Sequence, residues 1–177
     1  MAHFTVAIIV QDDGSNVEEL SARAIASINR FDTELEVPLH KRYIEPDELE
    51  NMKGHYKTDH IEDIVPHLTE WNGESGGIDE KGLYVDSTRN PEGHFDDGDI
   101  LGRVRPEDVG MAFLGEGNNR LCHAIVTLDG KWVNGPWVMF EPKDSEQKKE
   151  LDDWLAKLAS ILEENKREAI FIADCHA

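Results

Sequence analysis

Two apolar runs, one near each end of the chain, limit the fold more than anything between them: HFTVAIIV at residues 3–10 and AIFIADCHA at residues 169–177. The first is a continuous run of mostly β-branched and aromatic residues up to the polar cluster Gln11 to Asn16, which is how a strand buried on both faces reads. The second lies at a terminus, where five or so apolar residues fray unless a sheet holds them. Both are predicted as strands of one central sheet, over His3 to Val10 and Ala169 to Asp174.

Between them the periodicity turns helical twice with clarity. Ser15 followed by Glu18 fits a capping box, and Val17, Leu20, Ala24, Ile25 and Ile28 share a face, predicting a helix from about Asn16 to Asn29. From Asp144 to Lys166, Leu151, Trp154, Leu155, Leu158, Ile161 and Leu162 form a second stripe, with Lys and Glu opposite. That stripe is read as core, with a homodimer face as the alternative. A short helix is predicted in EPDELENMKG, with Pro46 near its start and Gly54 at its end. Ile61, Ile64, Val65, Leu68 and Trp71 make a further stripe that Pro66 must kink or split.

Residues 72–119 are rich in Gly and Asp and poor in periodicity, so they read as a loop-rich middle, with only Gly82 to Val85 and Ile100 to Val104 resembling strands. Order resumes at Cys122 to Leu128, and Asp129-Gly130 before Lys131 to Val133 signals a hairpin with a type I′ turn. The apolar run 137–140 precedes the long helix. The expected architecture is α+β: one domain over residues 1–177, with a single mixed or antiparallel sheet of four to six strands. The helices at 16–29 and 145–166 are expected to cover mainly one face.

With 18 Lys and Arg against 37 Asp and Glu, the formal charge of −19 repels phosphate backbones and anionic lipid, which excludes direct nucleic-acid and membrane binding. Acidity of this size is read as solubility, as salt adaptation, or as mimicry of nucleic acid directed at a host defence factor. Cys122 and Cys175 lie far from metal-ligand spacing, and the chain enters its first strand without a signal peptide. A reduced, cytoplasmic setting is expected. No apolar run approaches the roughly 20 residues that span a bilayer.

Several stretches in order, namely HFTV, KRYI with the acidic short helix after it, GGIDEKGLY, DGKW and the closing ADCH, resemble a family of uncharacterised bacteriophage and prophage proteins. The likeness runs over nearly the whole chain. Where the family pattern has a Trp-rich segment leading into Gly-Gly-Arg-Trp, this chain has HFDDGDILGRV, keeping Gly102 and Arg103 without the tryptophans. The resemblance implies an accessory role in an infected cell, with a host or phage protein as partner, and carries no particular activity.

Three constellations could carry chemistry. His3, Asp174 and His176 bear the polar ends of the terminal strands; Asp174 and His176 share a strand face, and an antiparallel neighbour would bring His3 beside them. Two imidazoles and a carboxylate suit a divalent metal ion or acid–base chemistry. The plainer reading, that these residues simply end two strands, carries more weight without knowledge of strand direction. His94, Asp96, Asp97 and Asp99 in HFDDGD resemble an oxygen-ligand loop but lack the EF-hand spacing. Lys81, Arg89, Arg103 and Arg105 are scarce cations near Gly76, Gly77 and Gly102, suited to a small anionic ligand or to pairing with neighbouring acids. Cys122 and His123, as sequence neighbours on opposite strand faces, make a poor nucleophile and base. A non-enzymatic binding module leads, ahead of a metal-dependent enzyme and a nucleic-acid mimic.

Overall fold

The structure, a computed structural model, describes residues 3–111, 122–136 and 142–176. In chain order the strands are β1 (His3–Val10), β2 (His40–Tyr43), β3 (Gly76–Asp79), β4 (Gly82–Ser87), β5 (Asp97–Val104), β6 (Cys122–Val126), β7 (Trp132–Asn134) and β8 (Ala169–His176). The helices are α1 (Val17–Asn29), α2 (Pro46–Tyr56), α3 (Leu68–Asn72) and α4 (Ser145–Glu164). They form two compact units, Met1–Thr33 with Glu92–Ala177, and Glu34–Pro91.

The first unit is built on a five-stranded mixed sheet in the order β5-β8-β1-β6-β7. β1 runs antiparallel to β8 along its whole length and parallel to β6. Because β1 and β8 are apolar on both faces, both faces need cover. On one side Phe4, Val6, Ile8 and Phe171 meet Leu20, Ala24 and Ile28 of α1. On the other, Ala7, Ile9, Ile170 and Ile172 meet Trp154, Leu158 and Leu162 of α4. The expectation that both long helices lie mainly on one face is therefore corrected: they sit on opposite faces, as the absence of alternation in the two strands requires. The α4 stripe is core on its Trp154, Leu158 and Leu162 positions, while Leu155 is exposed.

Local signals explain the helix ends. Asn16, rather than Ser15, caps α1, its side-chain oxygen accepting from Glu19 N at 2.9 Å, and Val17 and Ile25 of the expected stripe are exposed. Asp144 caps α4 by accepting from Glu146 N and Gln147 N at 3.0 and 2.8 Å. The β6–β7 hairpin forms, but only Gly130 of the Asp129-Gly130 pair has positive φ, at 75°. The loop is thus longer than a two-residue type I′ turn, closed by Thr127 N donating to Lys131 O at 2.9 Å. The run 137–140 lies outside the described residues.

The second unit carries its own antiparallel sheet, β2-β4-β3, and its own core of Met52, Ile64, Leu68, Leu83 and Val85. The single sheet of four to six strands is overturned: the described residues form two sheets, of five and three strands. The unit forms because residues expected to be mostly loop make a hairpin, β3–β4, that pairs with β2. Glycine hid it, since Gly76, Gly77 and Gly82 contribute no side chain to a period-two pattern. Pro66 splits its stripe into 3-10 turns at Ile61–Asp63 and Val65–His67 followed by α3. α2 runs past Gly54 to Tyr56 and is capped by Lys57, which adopts φ 53°. No described helix is long and apolar enough to cross a membrane.

Two glycines give opposite expectations. A Cβ on Gly76 would lie 2.0 Å from Tyr84 O and 2.9 Å from Val85 Cα, whereas one on Gly54 meets nothing within 4 Å. Gly76→Ala is expected to destabilise the protein by about 1–3 kcal/mol in urea unfolding. Gly54→Ala, inside α2, is expected to stabilise it by up to about 1 kcal/mol.

Candidate functional site

The antiparallel register of β1 and β8 sets His3 opposite His176 and Thr5 opposite Asp174. Residues opposite one another in a sheet share a face, and so do residues two apart along a strand. His3, Thr5, Asp174 and His176 therefore stand together on the sheet face that α4 covers further along, beyond Ala7 and Ile172. The His3 and His176 rings are 3.8 Å apart between centroids. His3 Nδ1 lies 3.0 Å from Asp174 Oδ2. One nitrogen from each imidazole and one Asp174 oxygen all fall within 4.8 Å of one another.

Asp174 is the pivot of the group. Its Oδ2 faces His3, while its Oδ1 is buried and has no hydrogen-bond partner among the described residues. A buried carboxylate oxygen without a donor is costly, and a cation relieves that cost. A four-coordinate metal with bonds of about 2.0–2.2 Å holds its ligand atoms roughly 3.3 Å apart, so modest side-chain rotation closes the group around an ion. Two nitrogens and one oxygen leave coordination positions open.

β5 widens the polar patch. It pairs with β8 so that Asp97 is opposite His176 and Asp99 opposite Asp174. Two of the four HFDDGD residues thus belong beside the terminal cluster, on the same face, though their carboxylates fall outside the 4.8 Å group. Gly98 between them lets the strands approach, since a Cβ there would meet Cys175 Sγ at 3.1 Å. The other two residues are used elsewhere: Asp96 accepts from Thr33 Oγ1 at 2.5 Å, and His94 stacks on Trp132 at 4.6 Å. No calcium-type loop forms.

The four cations are divided between the units, Lys81 and Arg89 in one and Arg103 and Arg105 in the other. Arg103 donates to Asp12 Oδ2 at 2.6 Å, and Arg105 to Asp108 at 2.7 Å. The backbone N–H of Gly14 and then Arg103 hold the Asp12 carboxyl below its usual range, and Asp108 raises the Arg105 guanidinium. Lys81 lies 5.8 Å from the Tyr43 ring, and the Arg89 backbone N–H donates to Ser87 Oγ.

The two cysteines are structural. Burial pushes the Cys122 thiol up to about 12, and burial with the nearby charges of Asp174 and Asp97 does the same for Cys175. Sequence reasoning missed the part played by Asp97 and Asp99. Their spacing of two was visible, and Ile100 to Val104 reads as a strand, but neither its start at Asp97 nor its pairing with β8 could be seen. Comparison with protein-family models, curated proteins and solved structures finds no match.

Thiol chemistry gives a direct check on this packing. Folded protein is expected to react with a disulfide reagent such as DTNB at least a hundredfold more slowly than free cysteine at pH 8, releasing two equivalents only in denaturant. Rapid release of either equivalent from folded protein would contradict the burial of these strands.

Proposed function

We propose that the chain is a phage-type accessory protein that binds a divalent transition-metal ion through His3, Asp174 and His176. The observation that carries the reading is the β1–β8 register, which brings together two imidazoles and a carboxylate from opposite ends of the sequence. The buried Oδ1 of Asp174, without a hydrogen-bond partner among the described residues, supports it further. Zinc suits a site of two nitrogens and one oxygen, as do iron and manganese.

Three protein ligands with open positions are the arrangement of catalytic rather than purely structural metal sites, which favours the metal-dependent enzyme over a non-enzymatic binding module. At such a site the metal lowers the pKa of a bound water and supplies a nucleophile for hydrolysis. On this chain's side, His3, Asp174 and His176 would hold and orient the ion. Asp97 and Asp99 would add negative potential that draws cations to the patch. The likeness to phage and prophage sequences supports a role inside an infected cell.

Isothermal titration of untagged protein with Zn²⁺ or Mn²⁺ tests the reading. One ion per chain is expected, with His3→Ala and His176→Ala each weakening binding at least tenfold and Asp99→Asn weakening it less. Affinity should fall as the pH is lowered, because protons compete for the same imidazole nitrogens. Absence of binding by the unmodified protein, or equal binding by the histidine variants, would sink the proposal.

A further inference from the structure

A cavity lies on the opposite face of the same sheet, the one covered by α1, and does not depend on the metal. It has a volume of about 260 Å³ and is lined by Phe4, His94, His123, Trp132, Asn134 and Gly135. His123 reaches it through an irregularity in strand pairing. Between Thr5 and Val6 of β1 the partner residue on β6 jumps from Cys122 to Ala124, leaving His123 as the extra residue of a bulge. Bulges re-aim side chains and recur next to functional sites.

This bulge is held from two directions. Trp154 Nε1 donates to Cys122 O at 2.8 Å, and Gly135 N donates to His123 O at 2.6 Å. Gly135 has to be glycine there, since a Cβ would meet the Trp154 indole at 2.5 Å. The His123 imidazole, in a residue only 8% exposed, is thereby fixed edge-on to Phe4 at 6.4 Å.

The lining chemistry is selective. Trp132 presents its indole amid Phe4, Phe31 and Phe95, and stacks on His94 with the planes 15° apart. Aromatic faces favour flat ligands. The polar groups are two imidazoles and one amide, His94, His123 and Asn134, and no Lys, Arg, Asp or Glu stands among the described lining residues. Burial lowers the proton affinity of His94 and so favours its neutral form. Imidazole and amide groups beside aromatic walls match the edge of a neutral heterocycle, whereas the chain's charge of −19 opposes a phosphorylated one. The volume falls just below the roughly 300–1,000 Å³ of typical small-molecule pockets, which limits the ligand to a single base, with or without its sugar.

We propose that this cavity binds a small neutral heteroaromatic molecule of the nucleobase or nucleoside class, stacked on its aromatic walls and read at its edge by His94, His123 and Asn134. Titration calorimetry with adenosine, guanosine, cytidine, uridine and, as an apolar control, indole tests it on metal-free protein. At least one nucleoside is expected to bind, with affinity reduced at least tenfold by His123→Ala and by the milder Asn134→Ala. Nuclear magnetic resonance of the imidazoles supplies a readout that a folding defect cannot imitate: in unmodified protein the His94 and His123 signals should shift on ligand addition while those of His3 and His176 do not. The proposal is overturned if no nucleoside produces heat or those shifts. Binding of indole alone, unaffected by Asn134→Ala, would overturn it equally, because it would mark an apolar void without edge recognition.

Discussion

The eight-residue antiparallel ladder between β1 and β8 is the interaction on which the first unit depends. It joins the two ends of the chain, from His3 opposite His176 to Val10 opposite Ala169. It also forms the centre of a sheet whose two faces are buried separately under α1 and α4. A slip of one residue would send every side chain of one strand to the other face. The apolar residues facing α4 would then be exchanged for those facing α1, and His3 would leave Asp174 and His176. Packing and site are thus specified by the same register, so the fold cannot loosen at this point without dispersing the polar cluster.

The two strands of that ladder could be read from sequence because they are apolar without alternation. Their relative direction could not, since hydrophobic periodicity carries no information about polarity of pairing. That one missing fact separated the cluster of His3, Asp174 and His176 from a pair of strand ends. Double burial of β1 also implied cover on both faces, although helical stripes alone do not say which face each helix takes. The smaller sheet was hidden for a different reason. Gly82 to Val85 reads as a strand and lies in β4, but its partner β3 is Gly76, Gly77, Ile78 and Asp79, too few side chains to show a period-two pattern, so its strand character comes from pairing rather than pattern. His123 is a third kind of case, because a bulge exists only in the relation between two strands and has no signature in either.

Electrostatics links these features. In a chain of charge −19, several cations of the described surface are committed to nearby acids, as with Arg103 to Asp12 and Arg42 to Glu48. The patch at the ends of β1, β5 and β8 is different: Asp97, Asp99 and Asp174 share a face whose other polar members are histidines and a threonine. Carboxylates directly opposite each other in a sheet repel, and Asp99 faces Asp174 in this way. A bound cation would turn that repulsion into attraction, and the histidines give it nitrogen ligands. On the opposite face the balance is reversed, with aromatic walls, imidazoles and an amide in place of acids.

Anomalous diffraction from crystals of untagged protein grown with Zn²⁺ tests most directly whether the β1–β8 register builds a metal centre. The expected result is an anomalous peak about 2.0–2.2 Å from an imidazole nitrogen of His3, an imidazole nitrogen of His176 and a carboxylate oxygen of Asp174. Density that separates His3 from His176, or zinc bound only at other residues, would contradict it.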